Sequence, residues 1–143
     1  MLNTIYSPWP SFSQSEIDAV SEVLRTNRVN YWTGNKVKEF EQEFASWCGA
    51  KYGVAIANGT LAIEVALRAL GVGNGDEVIV PSRTFMATAS AVSILGATPV
   101  FADIDTISQN ISPKDIEKKI TSKTKAVVCV HLAGWPCDMD SII

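Results

Sequence analysis

The sequence has few of the residues from which disulfide frameworks and metal sites are built. Its three cysteines, Cys48, Cys129 and Cys137, cannot all pair with one another, so a disulfide framework is not expected. This cysteine usage favours a protein of the reducing cytoplasm. His131 is the only histidine, and it does not combine with the cysteines in the spacing of a zinc site. We therefore predict a cytoplasmic protein without a bound metal.

Long apolar runs and an excess of one charge are also missing. No apolar run approaches the roughly 20 residues of a membrane-spanning helix, and the first residues lack the basic and apolar regions of a signal peptide. The net charge of -3 gives no electrostatic reason to expect binding to nucleic acid or to an anionic membrane. The 143 residues, 47% of them hydrophobic and 19% charged, match one globular domain that can bury a sizeable core.

The first third of the chain has helical patterns separated by a loop. A capping-box pattern that begins at Ser13 predicts a helix ending near Arg25. The segment Thr26–Gly34 is polar and aromatic without a clear period, which is typical of a loop. Apolar residues at helical spacing predict a second helix over about Lys36–Trp47. We group residues 1–50 as an N-terminal helical segment that carries this loop.

From residue 51 onward, strand-like apolar runs alternate with helical segments. The predicted strands are about Tyr52–Ala57, Glu77–Val80, Thr98–Ala102 and Lys125–Val130. The predicted helices are about Thr60–Leu70, Phe85–Leu95 and Ser112–Ile120, the last with Pro113 at its first position and Asp115 completing a capping box. Because the strands are apolar rather than alternating, the pattern predicts an α/β protein with a mostly parallel sheet.

The turn between the first predicted strand and its helix is a candidate phosphate site. Gly59 is expected to allow a backbone geometry that a side chain would block, and Thr60 to cap the helix with its hydroxyl group. The unpaired N–H groups and the positive end of the helix dipole at such a corner can hold a phosphate. A plain capped turn without a ligand is the alternative.

Further candidates follow the other strands, because ligands of parallel sheets collect at the carboxyl ends of the strands. Phe85 is either an aromatic that stacks on a ring cofactor or a core residue. Asp103 and Asp105 are either an acid–base pair or turn residues. His131 is either a base or substrate contact, or a hydrogen-bonded structural histidine.

Ordered motifs over nearly the whole chain resemble those of the DegT-type sugar aminotransferases. The matching blocks are Thr33–Phe44, Val54–Ala62, Gly75–Ala89, Gly96–Asp105, Thr121–Ala126 and Val130–Asp140. The resemblance implies the aspartate-aminotransferase-like fold (fold type I), with pyridoxal 5'-phosphate (PLP) as cofactor. It also implies transfer of an amino group, usually from glutamate, to a nucleotide-linked keto sugar for surface polysaccharides or other glycans, in a homodimer.

The resemblance also implies roles for individual residues. Gly59 and Thr60, with the backbone N–H of Leu61, fall where the family binds the cofactor phosphate, and Phe85 falls where an aromatic stacks on the pyridine ring. The loop residues Tyr31, Trp32, Thr33 and Gly34 fall near the substrate mouth, and His131 is a further substrate-side candidate.

The catalytic groups of the family have no counterpart among these residues. In the family, the aspartate at the pyridine nitrogen and the lysine that binds the cofactor covalently lie beyond Ile143. We therefore expect an N-terminal part of such an enzyme, with residues 51–143 as the first part of the PLP-binding domain. We expect it to be inactive alone, with Tyr52–Ala57 left without strand neighbours. The alternatives are a dehydratase of the same family and a non-catalytic remnant or assembly module.

Overall fold

The computed structural model describes residues 9–143, in two units that divide between Ala55 and Ile56. The first unit contains two helices, and the second is an α/β layer structure. In chain order the elements are α1 (Gln14–Arg25), α2 (Lys36–Trp47), α3 (Gly59–Ala69), β1 (Glu77–Pro81), α4 (Ala87–Ile94), β2 (Thr98–Ala102), α5 (Pro113–Lys119), β3 (Thr124–Val127) and α6 (Met139–Ile142). Within residues 9–143, no helix combines the length and apolar character needed to cross a membrane.

The helices of the first unit form where the sequence predicts them. The capping box of α1 is confirmed, because the Ser13 hydroxyl oxygen accepts from the Glu16 N–H at 3.4 Å and the Ser13 N–H donates to the Glu16 carboxylate at 2.6 Å. The apolar stripe of α2 includes a stacked pair of rings, Phe40 and Phe44, with centroids 5.5 Å apart. Both rings are about half exposed.

The strand predicted over Tyr52–Ala57 is wrong. Among the described residues this segment belongs to no ladder, and the side chains of Tyr52 and Val54 are each 75% exposed. A strand needs a neighbour that pairs its backbone groups, and none of residues 9–143 pairs with this segment in a ladder. The segment instead lies against α2, where the Ala55 N–H donates to the Glu41 carboxylate at 2.8 Å.

Gly53 permits the close approach of this segment to α2. A Cβ at residue 53 would lie 2.6 Å from the carbonyl oxygen of Glu41. We expect Gly53→Ala to lower the free energy of unfolding by about 1–3 kcal/mol, the usual effect of overpacking, in denaturant titrations. Gly73→Ala is the matched control, because a Cβ there meets nothing within 4 Å and Gly73 has no positive φ. Equal effects of the two substitutions would contradict this account.

The sheet of the second unit is parallel and three-stranded, in the order β2-β1-β3. The central strand β1 is buried on both faces, and Val78, Ile79 and Val80 are 0% exposed. Ile79 pairs with Val100 on one side and with Val127 on the other. Burial on both faces explains why the strands read as continuous apolar runs, and it confirms the predicted α/β class.

Helices cover both faces of the sheet. Val78 and Val80 pack with residues of α3 and α4, namely Leu67, Ala91 and Val92. Ile79 points to the opposite face and packs with Ala102, Ile111, Ile116 and Cys137. The alternation of β1 side chains between two helical layers therefore holds the unit together.

Some predicted boundaries and one cap differ from the structure. Helix α4 begins at Ala87 rather than Phe85, and strand β3 ends at Val127 rather than Val130. The capping box predicted for α5 is wrong, since Ser112 makes no side-chain cap bond. The Asp115 carboxylate instead accepts from the N–H of Asp103, at 2.8 Å. That long-range bond, which no local pattern indicates, ties α5 to the end of β2.

Candidate functional site

The start of α3 is capped by Asn58, not by Thr60 as predicted. Asn58 has extended backbone angles, φ -163° and ψ 168°, and its side-chain oxygen accepts from the Leu61 N–H at 3.0 Å. A cap residue precedes the first helical residue, which is Gly59 here, so Thr60 lies inside the first turn. The Leu61 N–H therefore has a partner in this structure, and its place at the cofactor phosphate stays a prediction.

Gly59 leaves open space at this corner instead of providing an unusual backbone geometry. Its φ is not in the left-handed region, and a Cβ built there would meet nothing within 4 Å. The prediction that Gly59 allows a backbone geometry that a side chain would block is therefore wrong. Because residue 59 has no side chain, the start of the helix is left uncovered.

Three hydrogen-bond donors at the corner have no partner among residues 9–143. They are the N–H groups of Gly59 and Thr60 and the hydroxyl group of Thr60. Both residues are exposed. The 11-residue helix α3 adds its positive dipole end at the same place. This donor set fits a phosphate group, which accepts several hydrogen bonds and carries negative charge.

Phe85 is not a core residue in this structure. Phe85 is 78% exposed, so it lies outside the core formed by residues 9–143. The turn that carries it is held by the Ser82 N–H, which donates to the Ala102 carbonyl oxygen at 2.9 Å, and by paired hydroxyl groups of Thr84 and Thr88 at 2.8 Å. The backbone beside Phe85 is therefore anchored while its ring faces are uncovered.

The connection between α3 and β1 indicates that the corner and the Phe85 turn lie at the same edge of the sheet. The turn of residues 70–76 joins the end of α3 to the start of β1, and Leu67 of α3 packs on Val78 and Val80. A helix that returns along the strand in this way would bring the start of α3 to the end of β1, at the carboxyl edge of the sheet. This is the edge at which parallel sheets bind ligands.

The aspartates after β2 perform turn chemistry. The Asp105 carboxylate accepts from the Ser108 N–H at 2.8 Å, from the Ser108 hydroxyl at 3.1 Å and from the Ile107 N–H at 3.1 Å. These hydrogen bonds, those of Ser108 foremost, hold the pKa of Asp105 below its ordinary value. Asp103 accepts from the N–H of Ile104 at 2.8 Å. Of the two interpretations, the structure supports the turn residues.

His131 makes the hydrogen bond expected of a structural histidine. Its Nδ1 accepts from the Cys137 N–H at 3.0 Å, which closes a loop of residues 131–137, hereafter the 131–137 loop. An accepting Nδ1 requires the neutral ring with its proton on Nε2. The side chain is nevertheless exposed. The bond accounts for the orientation of the ring and leaves Nε2 as its outer donor.

Sequence reasoning missed Asn110. This asparagine is 3% exposed, and its side-chain amide bonds three backbone groups of the 131–137 loop. Its only local signal is a polar residue directly before the buried Ile111. The partners lie more than 20 residues away in the chain, so the sequence pattern does not reveal them.

The predicted substrate-side loop belongs to the first unit. Asn30 organises it, because its side-chain oxygen accepts from the N–H groups of Trp32 and Thr33 at 3.0 and 3.1 Å. The Tyr31 hydroxyl donates to the Glu41 carboxylate at 3.3 Å. Gly34 is required by sterics, since a Cβ there would collide with a backbone carbonyl oxygen of the loop.

Comparison with known proteins identifies the family. The model of the DegT/DnrJ/EryC1/StrS aminotransferase family matches residues 10–143. The chain belongs to this family. It is 50% identical over 130 residues to the dTDP-3-amino-3,6-dideoxy-alpha-D-galactopyranose transaminase of Aneurinibacillus thermoaerophilus, with 90% of this chain and 35% of that protein covered. The chain spans about a third of the length of the curated relatives it matches.

Solved structures of the family confirm the fold. An aminotransferase from Psychrobacter cryohalolentis is 60% identical with a TM-score of 0.93, covering 96% of this chain and 35% of that one. A protein of Streptococcus pneumoniae, solved in its PLP form, is 39% identical with a TM-score of 0.86, covering 98% of this chain and 35% of that one. The predicted aspartate-aminotransferase-like fold is therefore confirmed for the part of that fold that this chain spans.

Proposed function

We propose that this chain provides the phosphate-binding corner and the ring-covering aromatic of a PLP-dependent aminotransferase acting on a nucleotide-linked keto sugar. The observation that carries the proposal is the start of α3, where unpartnered donors of Gly59 and Thr60 surround open space. Membership of the DegT/DnrJ/EryC1/StrS family supports it. So does the similarity to a transaminase whose name specifies a dTDP-linked amino sugar.

The residues present fit PLP at two points. The N–H groups of Gly59 and Thr60, with the Thr60 hydroxyl, would bind the phosphate. Phe85, exposed at the same edge of the sheet, would cover one face of the ring. The Leu61 N–H, which donates to the Asn58 side chain in this structure, is proposed as the adjacent phosphate contact. When bound, PLP supplies an electron sink for the carbon that exchanges the amino group.

The other parts of the proposal concern what surrounds this corner. We assign proton transfer to no residue of this chain. The complete enzyme used in each experiment is this chain extended to the length of its relatives. We propose two groups on the substrate side of the site. The loop Tyr31–Gly34 belongs to the N-terminal segment of residues 1–50, and His131 belongs to the PLP-binding part of residues 51–143. Glutamate as amino donor, a homodimer and a cytoplasmic location belong to the same proposal. They rest on the family resemblance and on the cysteine usage.

A substitution that adds a negative charge at the cap residue, Asn58, tests the phosphate site. In the complete enzyme, Asn58→Asp should keep the cap, since aspartate and asparagine cap helices equally well. A carboxylate beside a bound phosphate should nevertheless weaken PLP affinity at least about fivefold, because like charges about 4 Å apart in water repel by about 1 kcal/mol. PLP titrations by absorbance, with denaturant unfolding in parallel, measure both effects.

Asn58→Ala is the matched control for this experiment. It removes the bond to the Leu61 N–H without adding charge, so it should lower the free energy of unfolding by about 1 kcal/mol. It should affect PLP affinity less than Asn58→Asp does. If Asn58→Asp bound PLP as tightly as the unmodified enzyme, the phosphate would not lie at this corner and the proposal would be wrong.

A further inference from the structure

The side-chain amide of Asn110 is buried, and both its nitrogen and its oxygen are hydrogen-bonded. Its Nδ2 donates to the carbonyl oxygens of Trp135 and Pro136, at 2.9 and 3.0 Å, and its Oδ1 accepts from the Leu132 N–H at 3.0 Å. The residue is 3% exposed. A buried asparagine with these three bonds connects the loop after β2 to the 131–137 loop, which follows β3.

The 131–137 loop has a conformation that needs such support. Ala133 and Gly134 both have left-handed backbones, with φ 52° and φ 84°. Alanine is unfavourable in this region, and such a residue persists only where surrounding contacts over-determine its geometry. The bond between His131 and Cys137 closes the ends of the loop. Asn110 binds the backbone between those ends, on both sides of the left-handed pair.

The residue before Asn110 extends the connection to the third strand end. Gln109 accepts a hydrogen bond from the guanidinium of Arg83, which lies in the turn after β1. Strand β1 is central, so its carboxyl end emerges between the ends of β2 and β3. Gln109 and Asn110 together therefore link the three loops that leave the carboxyl edge of the sheet. Phe85 lies two residues beyond Arg83.

We propose that Asn110 is a positioning residue of the active site. It holds the 131–137 loop, with the exposed His131 side chain, at the carboxyl edge, and Gln109 holds the Arg83–Phe85 turn beside it. Asn110 is buried within this connection, so it acts through the backbone it binds and not by contact with substrate or cofactor. The inference rests on the proposed function, which places the PLP site at the same edge.

Two substitutions of Asn110 in the complete enzyme test this role. Asn110→Asp preserves size and the acceptor for the Leu132 N–H, but it places a carboxylate against two carbonyl oxygens; Asn110→Ala removes all three bonds. We expect both to lower kcat/KM for the keto sugar at least tenfold and to alter the absorbance of bound PLP. We also expect amide hydrogen exchange in the 131–137 loop to quicken at least tenfold, below the unfolding temperature of each variant.

Two further variants keep the test decisive. Asn74→Asp makes the same charge change in the exposed turn before β1, at the opposite edge of the sheet, and should change kcat/KM less than twofold. Gln109 has φ 62°, so Gln109→Gly retains the backbone and removes the acceptor for Arg83, together with the bond from Gln109 Nε2 to the Thr106 carbonyl oxygen. It should lower kcat/KM about threefold, and it decides the question if the Asn110 variants do not fold.

Three results separate the possible failures. Unchanged exchange in the 131–137 loop of a folded Asn110 variant would show that Asn110 does not hold the loop. Faster exchange with unaltered kcat/KM and PLP absorbance would show that the loop has no part in the active site. An unmodified enzyme that neither binds PLP nor transfers an amino group would overturn the proposed function instead, while the exchange data would still report on the loop.

Discussion

Replacing Gly59 with alanine is expected to weaken PLP binding by the complete enzyme at least tenfold without lowering its stability. The added methyl group meets no protein atom within 4 Å, and residue 59 has no positive φ, so the folded chain accommodates it. A Gly→Ala change at such a position gains about 0.4–1 kcal/mol, because it restricts the unfolded chain. Any loss of PLP affinity therefore reflects a clash between the added methyl group and the bound ligand, not a loss of protein stability.

The loss of affinity follows from the position of the open space. The methyl group would occupy part of the volume proposed for the phosphate and push it away from the N–H groups of Gly59 and Thr60. A hydrogen bond to a charged group contributes about 1.5–3 kcal/mol, and about 1.4 kcal/mol corresponds to a tenfold change in affinity. The measurements are PLP titration and denaturant unfolding. Gly73→Ala, also in open space, is the control. Wild-type affinity in Gly59→Ala would place the phosphate elsewhere.

Two truncations to alanine, at Ile79 and Phe85, are expected to have opposite consequences. Ile79 is 0% exposed on the central strand, where it packs with Ala102, Ile111 and Ile116. Its truncation removes contacts in the core and leaves a cavity, which we expect to lower the free energy of unfolding by about 2–5 kcal/mol. Ile79→Val should lower it by about 0.5–1.5 kcal/mol. Denaturant titration with unchanged m-values checks this gradation.

Phe85→Ala removes a larger side chain and should leave stability within about 0.5 kcal/mol, because the ring is 78% exposed. In the complete enzyme it should instead shift the absorbance of bound PLP and weaken its binding. A loss of stability in the complete enzyme as large as that of Ile79→Ala would show that Phe85 is buried there as a core residue. A stable Phe85→Ala variant with an unaltered PLP spectrum would remove the residue from the proposed site.

Local patterns and chain order were sufficient for much of this protein. The capping box at Ser13, the helical spacing of α2 and the apolar run of β1 depend on neighbours in sequence, so their elements formed as predicted. Continuous apolar strands indicated a sheet covered on both faces. The ordered motifs indicated the aminotransferase family, because a family resemblance sums many weak local matches.

Tertiary structure decided the features that depend on distant partners. Tyr52–Ala57 has a strand-like sequence but no strand to pair with among residues 9–143, so it remains outside the sheet. Asp115 bonds Asp103 instead of completing a local cap. Asn110 reaches across 22 residues to Leu132. Periodicity and capping rules describe interactions within one or two turns of chain, whereas these bonds exist only after the sheet has brought its loops to one edge.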